Sequence, residues 1–148
     1  MHFVISLFGS HFEIHLLLFA YLNELLGELQ MKILECAQLI NAKVIVMAED
    51  SDIEISVACG SDLMSDVMAF SGATNQMMLT GLVNPQTIRT AEMLDVKIVV
   101  FVRGKVPDES MCNLARDKGI SLLSTPLTLF TSCGILYKAG IRGKEEAI

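Results

Sequence analysis

The chain has 148 residues, a usual length for a single domain. Apolar residues make up 52% of it, enough to fill a core, which excludes a disordered chain. Its 11 Lys and Arg against 17 Asp and Glu give a formal net charge of −6, which argues against nucleic acid as the main partner.

The first 30 residues differ in composition from the rest. They contain all three His and three Glu but no Lys or Arg. Their longest uncharged run, 14–23, is about half of the roughly 20 residues that a membrane span needs. No basic segment precedes this run and no small-residue cleavage site follows it, so we expect neither a membrane span nor a secretory signal.

Three interpretations of this apolar segment, residues 1–30, remain open. A helix over about 12–29 could pack its Leu-rich face on the domain or on a partner. The segment could attach weakly to a membrane surface, which its lack of Lys and Arg disfavours. Alternatively, the natural protein starts at Met31, and the segment is a start-site artefact. His11 and His15 share one helix face, but no third ligand is near in sequence, and we predict no metal site.

From Met31 onward, helix and strand patterns alternate. In chain order the predicted elements are a helix at 32–40, strands at 43–47 and 53–58, a helix at 61–70, a strand at 76–80, a helix at 84–94, a strand at 97–102, a helix at 107–118, a strand at 120–124 and a helix at 125–139. Asn84 followed by Pro85 is a strong helix start, and Gly119 is a typical helix end.

This order predicts an α/β fold, a small three-layer domain with a mostly parallel sheet of about five strands flanked by helices. The α/β domain is expected to cover residues 31–140. A charged tail follows at 141–148, and we expect it to fray from Arg142 onward.

Four cysteines lie in the α/β domain without the spacing of a zinc site. They are Cys36, Cys59, Cys112 and Cys133. Each has apolar or helical neighbours, which predicts reduced, buried thiols in a cytoplasmic protein.

Candidate ligand-binding residues follow the predicted parallel strands, because such sheets bind ligands outside the carboxyl ends of their strands. They are Gly60, Ser61, Asp62, Thr80, Gly81, Asn84, Arg103 and Lys105. The two glycines would let a ligand approach the backbone, and Ser61 and Asn84 would begin helices whose free amides could hold a phosphate or carboxylate. Good turn, cap and solvated-loop residues would have the same sequence.

Catalytic patterns are missing from the sequence. It contains no GxxxxGK[ST], GxGxxG or GxSxG motif, and no His follows residue 30, which excludes Ser/His and Cys/His pairs from the domain. Asp62 and Asp66, four positions apart on one predicted helix face, could bind a cation, but a solvated acidic face is the better explanation. We therefore expect no enzyme and no cofactor. An enzyme that uses Asp62, Asp66, Arg103 or a Cys is the less favoured alternative.

Several short stretches carry a family resemblance over about residues 31–140. They are GSDL at 60–63, LTG at 79–81, IVVFVRGK at 98–105, DESMCNLARDKGI at 108–120 and PLTLF at 126–130. Together they resemble the DRTGG domain and the related N-terminal domain of HPr kinase/phosphorylase. The motif that names the family would fall near 81–85, where Leu82 and Val83 cannot supply its charges.

In this family the module accompanies CBS domains in regulated pyrophosphatases and precedes phosphotransacetylase domains. The resemblance implies a stand-alone regulatory or ligand-sensing module, a homodimer that binds a small anionic ligand such as a nucleotide. It implies a partner enzyme acting in trans. The kinase half of HPr kinase/phosphorylase, with its phosphate loop, is missing from this sequence, so we expect no kinase activity. The sequence has no basic patch or known nucleic-acid motif, so we expect no nucleic-acid partner. The alternative is an accessory subunit of a larger enzyme complex with no ligand of its own.

Overall fold

A five-stranded sheet organises the chain from residue 31 onward. The computed structural model describes residues 14, 15, 17, 18, 21 and 22, and then 31–50, 52–70 and 73–146. The strands are β1 (Met31–Lys32), β2 (Lys43–Val46), β3 (Glu54–Ile55), β4 (Val57–Gly60), β5 (Gln76–Thr80), β6 (Ile98–Phe101) and β7 (Ser121–Ser124). The helices are α1 (Ile33–Leu39), α2 (Met64–Phe70), α3 (Pro85–Met93), α4 (Glu109–Lys118), α5 (Leu129–Lys138) and a 3-10 turn at Lys144–Glu146.

The strand order in the main sheet is β2-β7-β6-β5-β4. Strands β4 to β7 are parallel to one another, and β2 pairs antiparallel with β7 at the edge. Each parallel strand lies beside the next one in sequence, with one helix between them. The predicted α/β fold with a mostly parallel five-stranded sheet is confirmed.

The predicted strand at 53–58 is wrong, because it is two short strands in different sheets. Residues Glu54–Ile55 pair antiparallel with Met31–Lys32, while Val57 begins the edge strand of the main sheet. Ile53, Ile55 and Val57 are all buried. Because their apolar alternation is continuous, the sequence pattern does not show the change of partner strand.

The helices form two layers, one on each face of the sheet. Helices α2, α3 and α4 share one apolar cluster with Met78, Val99 and Leu122 of the strands. Helices α1 and α5 share the other cluster with the neighbouring strand residues Leu79, Val100 and Leu123. The alternation of adjacent strand residues between two covered faces is the arrangement expected of a buried parallel sheet.

Side-chain caps begin three of the helices. The side chains of Asn84, Asp108 and Thr128 each accept a hydrogen bond from an amide in the first turn, and Gly119 ends α4 in the left-handed conformation. The start predicted for the last helix at Thr125 is four residues early. The Thr125 hydroxyl is buried and donates to the carbonyl of Ile40 (2.5 Å), so it joins the chain to α1 instead.

The apolar segment, residues 1–30, has exposed apolar side chains at its described positions. Ile14, Leu17, Leu18, Tyr21 and Leu22 are helical positions with exposed side chains, and His11 lies outside the described residues. Within the described part of the chain, no helix is long and apolar enough to cross a membrane.

The expected fraying from Arg142 onward is wrong for the start of the tail. The Ala58 amide donates to the carbonyl of Arg142, and the Arg142 amide donates to that of Ser56. Arg142 thereby forms a parallel bridge to Val57, and Ile141 is buried beside it.

Candidate functional site

Charged side chains from the loops after β4 and β6 meet the backbone of the loop after β5 at the carboxyl ends of these three strands. The Asp62 carboxylate accepts a hydrogen bond from the Gly81 amide (2.5 Å) and lies 3.6 Å from the Arg103 guanidinium. The Lys105 ammonium donates to the carbonyl of Gly81 (2.7 Å). Five of the eight predicted site residues therefore lie together, namely these four and Thr80, whose hydroxyl lies 3.4 Å from the Asp62 carboxylate.

Gly81 is the centre of this cluster because it has no side chain. A Cβ atom there would collide with the terminal nitrogen of Arg103 and would lie 3.1 Å from a carboxylate oxygen of Asp62. The space above Gly81 is therefore filled by an ion pair of opposite charges. The predicted close approach to the backbone is present, and the groups that approach belong to the chain itself.

Arg103 is held in an unusual backbone conformation. Its φ is +60°, in the left-handed region that costs a non-glycine residue about 1 kcal/mol or more, and Gly104 follows at +68°. The amides of Arg103 and Gly104 donate to the carbonyls of Leu127 and Thr125, both at 2.8 Å. These bonds hold the strained loop and direct the guanidinium towards Gly81.

Thr80 lies directly beneath the ion pair. It is fully buried, and its hydroxyl oxygen accepts from the Leu82 amide (3.1 Å) and lies 3.4 Å from the Asp62 carboxylate. The cluster therefore offers a buried hydroxyl and a backbone amide besides its two cations. Such a mixture of donors suits a carboxylate or phosphate.

Asn84 and Ser61 do not join the cluster. The Asn84 side chain accepts from the Thr87 amide (3.2 Å) and caps α3. Ser61 does not begin a helix, since α2 begins at Met64, and its hydroxyl accepts from the Leu63 amide within a tight turn. Both residues are therefore occupied by local structure.

Gly60 faces the opposite side of the sheet from the charged cluster. A Cβ atom there would lie 2.8 Å from Cys133 Sγ and 3.2 Å from Leu129 Cδ1. Gly60 thus permits close packing of α5 on the end of β4, and the structure does not bring it into the candidate site.

The expected sharing of a helix face by Asp62 and Asp66 is wrong. Asp62 precedes α2, and Asp66 lies in its first turn. Among the described residues, no group of three or more His, Cys, Asp or Glu could hold a metal ion.

The prediction of buried thiols is correct for Cys36 and Cys112 and wrong for Cys59 and Cys133, which are half-buried. Burial, with a smaller contribution from Glu35, raises the pKa of the Cys36 thiol from 9.0 to about 12. Burial, with a smaller contribution from nearby Cys59, also raises the pKa of Cys133.

Cys59 and Cys133 line a cleft of about 220 Å³ that the sequence did not predict. Its walls come from β4, α5 and the start of the tail, and they include Gly60, Tyr137, Arg142 and Glu145. The Arg142 guanidinium stacks on the Tyr137 ring at 4.4 Å. Segments distant in sequence form this cleft, so no local motif could have revealed it.

Comparison with known proteins gives a likeness of fold. No family model and no curated protein matches the chain. A solved structure does match, that of the CBS and DRTGG domains of the regulatory region of Clostridium perfringens pyrophosphatase complexed with its activator, diadenosine tetraphosphate. The TM-score is 0.62 at 13% sequence identity, over 74% of this chain and 47% of that chain.

This likeness supports the DRTGG-like fold predicted from the sequence. The present chain spans about half the length of the chain it matches.

Proposed function

We propose that this chain is a regulatory module of the DRTGG type that senses a small anionic ligand, such as a nucleotide, at the carboxyl edge of its sheet. The observation that carries the proposal is the meeting of Asp62, Gly81, Arg103 and Lys105 at the ends of three adjacent strands. Arg103 and Lys105 are exposed, so an anion can reach both cations from solvent.

The matched pyrophosphatase region supports the choice of a regulatory role. That protein is described with a bound nucleotide activator. Its fold is shared with this chain, and a ligand that carries phosphate suits the cationic and amide donors of the carboxyl edge.

Titration with nucleotides, followed through the backbone amide signals by NMR, tests this function. Binding should shift the amides of Gly81, Arg103 and Gly104 first. Arg103→Ala and Lys105→Ala should each weaken binding about tenfold, the equivalent of about 1.4 kcal/mol.

Arg116→Ala is the matched control for the arginine variant. The Arg116 guanidinium is also half-exposed and also pairs with a carboxylate, that of Glu109, but it lies on α4 away from the site. If Arg116→Ala weakens binding as much as Arg103→Ala, the cations at the carboxyl edge are not a specific site and the proposal is wrong.

The homodimer is part of this proposal and rests on the resemblance to DRTGG domains. Light scattering on the full chain would test it directly. A mass of twice 16.2 kDa is expected, and a monomer at all concentrations would remove this part of the proposal.

A second candidate is an accessory subunit that binds a partner through its first 30 residues. The observation in its favour is the exposure of apolar side chains at helical positions, from 45% for Leu22 to 64% for Tyr21. Replacing Leu18 and Leu22 by Asn should then abolish association with the partner enzyme, and the wild-type chain should bind no nucleotide. Association that survives the replacement would contradict this candidate, and nucleotide binding by the wild type would favour the first.

A further inference from the structure

The Asp62 carboxylate occupies the place where a ligand anion would bind. It accepts hydrogen bonds from the Gly81 amide (2.5 Å) and the Thr80 hydroxyl (3.4 Å), and it forms an ion pair with the Arg103 guanidinium at 3.6 Å. A backbone amide, a hydroxyl and a guanidinium are also the groups that bind phosphate oxygens in proteins. The cradle formed by Thr80, Gly81 and Arg103 is therefore complete and holds an anion supplied by the chain.

The Asp62 carboxylate is open to solvent. Its side chain is 52% exposed, and it lies in the three-residue loop between β4 and α2. The next residue, Leu63, is exposed, and the buried face of α2 begins at Met64. Thr80 and Gly81, in contrast, are buried at the end of β5 and directly after it, so this part of the cradle keeps its place when Asp62 moves away.

We propose that Asp62 acts as a tethered competitor and that the ligand group is a phosphate dianion, which displaces it. This inference rests on the proposed function. A tethered carboxylate has an effective concentration of millimolar order or more, so a free carboxylate of the same charge competes poorly. A phosphate dianion carries more charge and three acceptor oxygens, and can contact Lys105 as well as Arg103.

Lys105 is placed for this additional contact. Its ammonium uses one of three donors on the carbonyl of Gly81 (2.7 Å), so two remain for a ligand. Displacement would leave the Asp62 carboxylate in solvent and would free the loop before α2. Ligand binding would thereby change the loop that leads into α2.

Amide NMR titrations with inorganic phosphate and with acetate, at constant ionic strength and neutral pH, test the inference. In the wild type, phosphate should shift the Gly81 amide and acetate should not. In Asp62→Asn, which keeps the side-chain shape but removes the charge, phosphate should bind about tenfold more tightly and acetate binding should become measurable.

Asp66→Asn removes the same charge from α2 without touching the cradle and serves as the matched control. It should leave the affinities for phosphate and for acetate as they are in the wild type. If Asp62→Asn folds poorly, Asp62→Ala takes its place, because it also removes the charge and should show the same tighter binding.

The possible failures are distinguishable. If phosphate binds the wild type and Asp62→Asn with equal affinity, or acetate binds the wild type as well as phosphate does, the competitor role is overturned and the proposed function stands. If neither phosphate nor nucleotides shift Gly81 in the wild type or in either Asp62 variant, the proposed function fails as well.

Discussion

Two glycines end adjacent parallel strands at the same edge of the sheet, and their surroundings are opposite in character. Above Gly81, at the end of β5, lie the guanidinium of Arg103 and the carboxylate of Asp62. Beside Gly60, at the end of β4, lie the thiol of Cys133 and the apolar side chain of Leu129 from α5.

A glycine at the end of a strand can therefore serve two different purposes. At Gly81 the missing side chain makes room for the flexible ends of charged side chains, which can move aside. At Gly60 it makes room for a helix that carries part of the core, which cannot move without loss of packing. The first glycine serves the candidate site, and the second serves stability.

The largest expected effect is on stability at Gly60. Gly60→Ala should lower the free energy of unfolding by about 2 kcal/mol, since the new methyl group overlaps Cys133 Sγ in a packed contact. Urea denaturation measures the loss. Cys133→Ala in the same chain should restore most of it, and equal losses in the presence and absence of Cys133 would show that the contact is not the cause.

Gly81→Ala should have the opposite effects, weakening ligand binding while leaving the free energy of unfolding almost unchanged. The new methyl group displaces only the ends of two flexible side chains, those of Arg103 and Asp62, so the free energy of unfolding should change by no more than about 0.5 kcal/mol. Nucleotide or phosphate binding should weaken about tenfold, because the guanidinium leaves its place beside the Gly81 amide. A large loss of stability with intact binding would remove the contrast between the two glycines.

The smallest expected effect depends on pH and concerns Cys133, the α5 residue that lies beside Gly60 at the end of β4. Burial raises the pKa of Cys133 above its ordinary value of 9.0, so the folded state favours the neutral thiol. The resulting stability is complete below that value and decreases as the pH rises through it, by at most about 1.4 kcal/mol per pH unit. A rise in pH above 9.0 should therefore lower the free energy of unfolding of the wild type more than that of Cys133→Ala. Unfolding curves of both proteins at rising alkaline pH measure this difference, and parallel pH dependences would contradict the assignment.

Local signals in the sequence predicted much of the fold. The apolar run at 76–80 is β5, Asn84 and Pro85 begin α3, and Gly119 ends α4. Each of these signals acts within a few residues, through burial on both faces of a strand, a cap hydrogen bond or a left-handed backbone. The gathering of Asp62, Gly81, Arg103 and Lys105 was also predictable, because parallel strands bring their carboxyl ends to one edge.

Other features depend on partners that are distant in the sequence. Nothing near Ile53 shows that the chain leaves one sheet for another before Val57. Nothing near Gly60 shows that α5 covers it. The hydroxyl of Thr125 resembles a helix cap in the sequence, yet it bonds to the carbonyl of Ile40.

The strand order also bears on how the chain folds. Strands β4, β5 and β6 each pair with the strand that follows in sequence, so each of these three pairings closes a short loop and can form early. β2 is different, because Lys43 must find Ser124 after nearly the whole domain has been synthesised. We expect the β2–β7 pairing to form after the folding transition state, so mutations in β2 should speed unfolding and leave the folding rate almost unchanged.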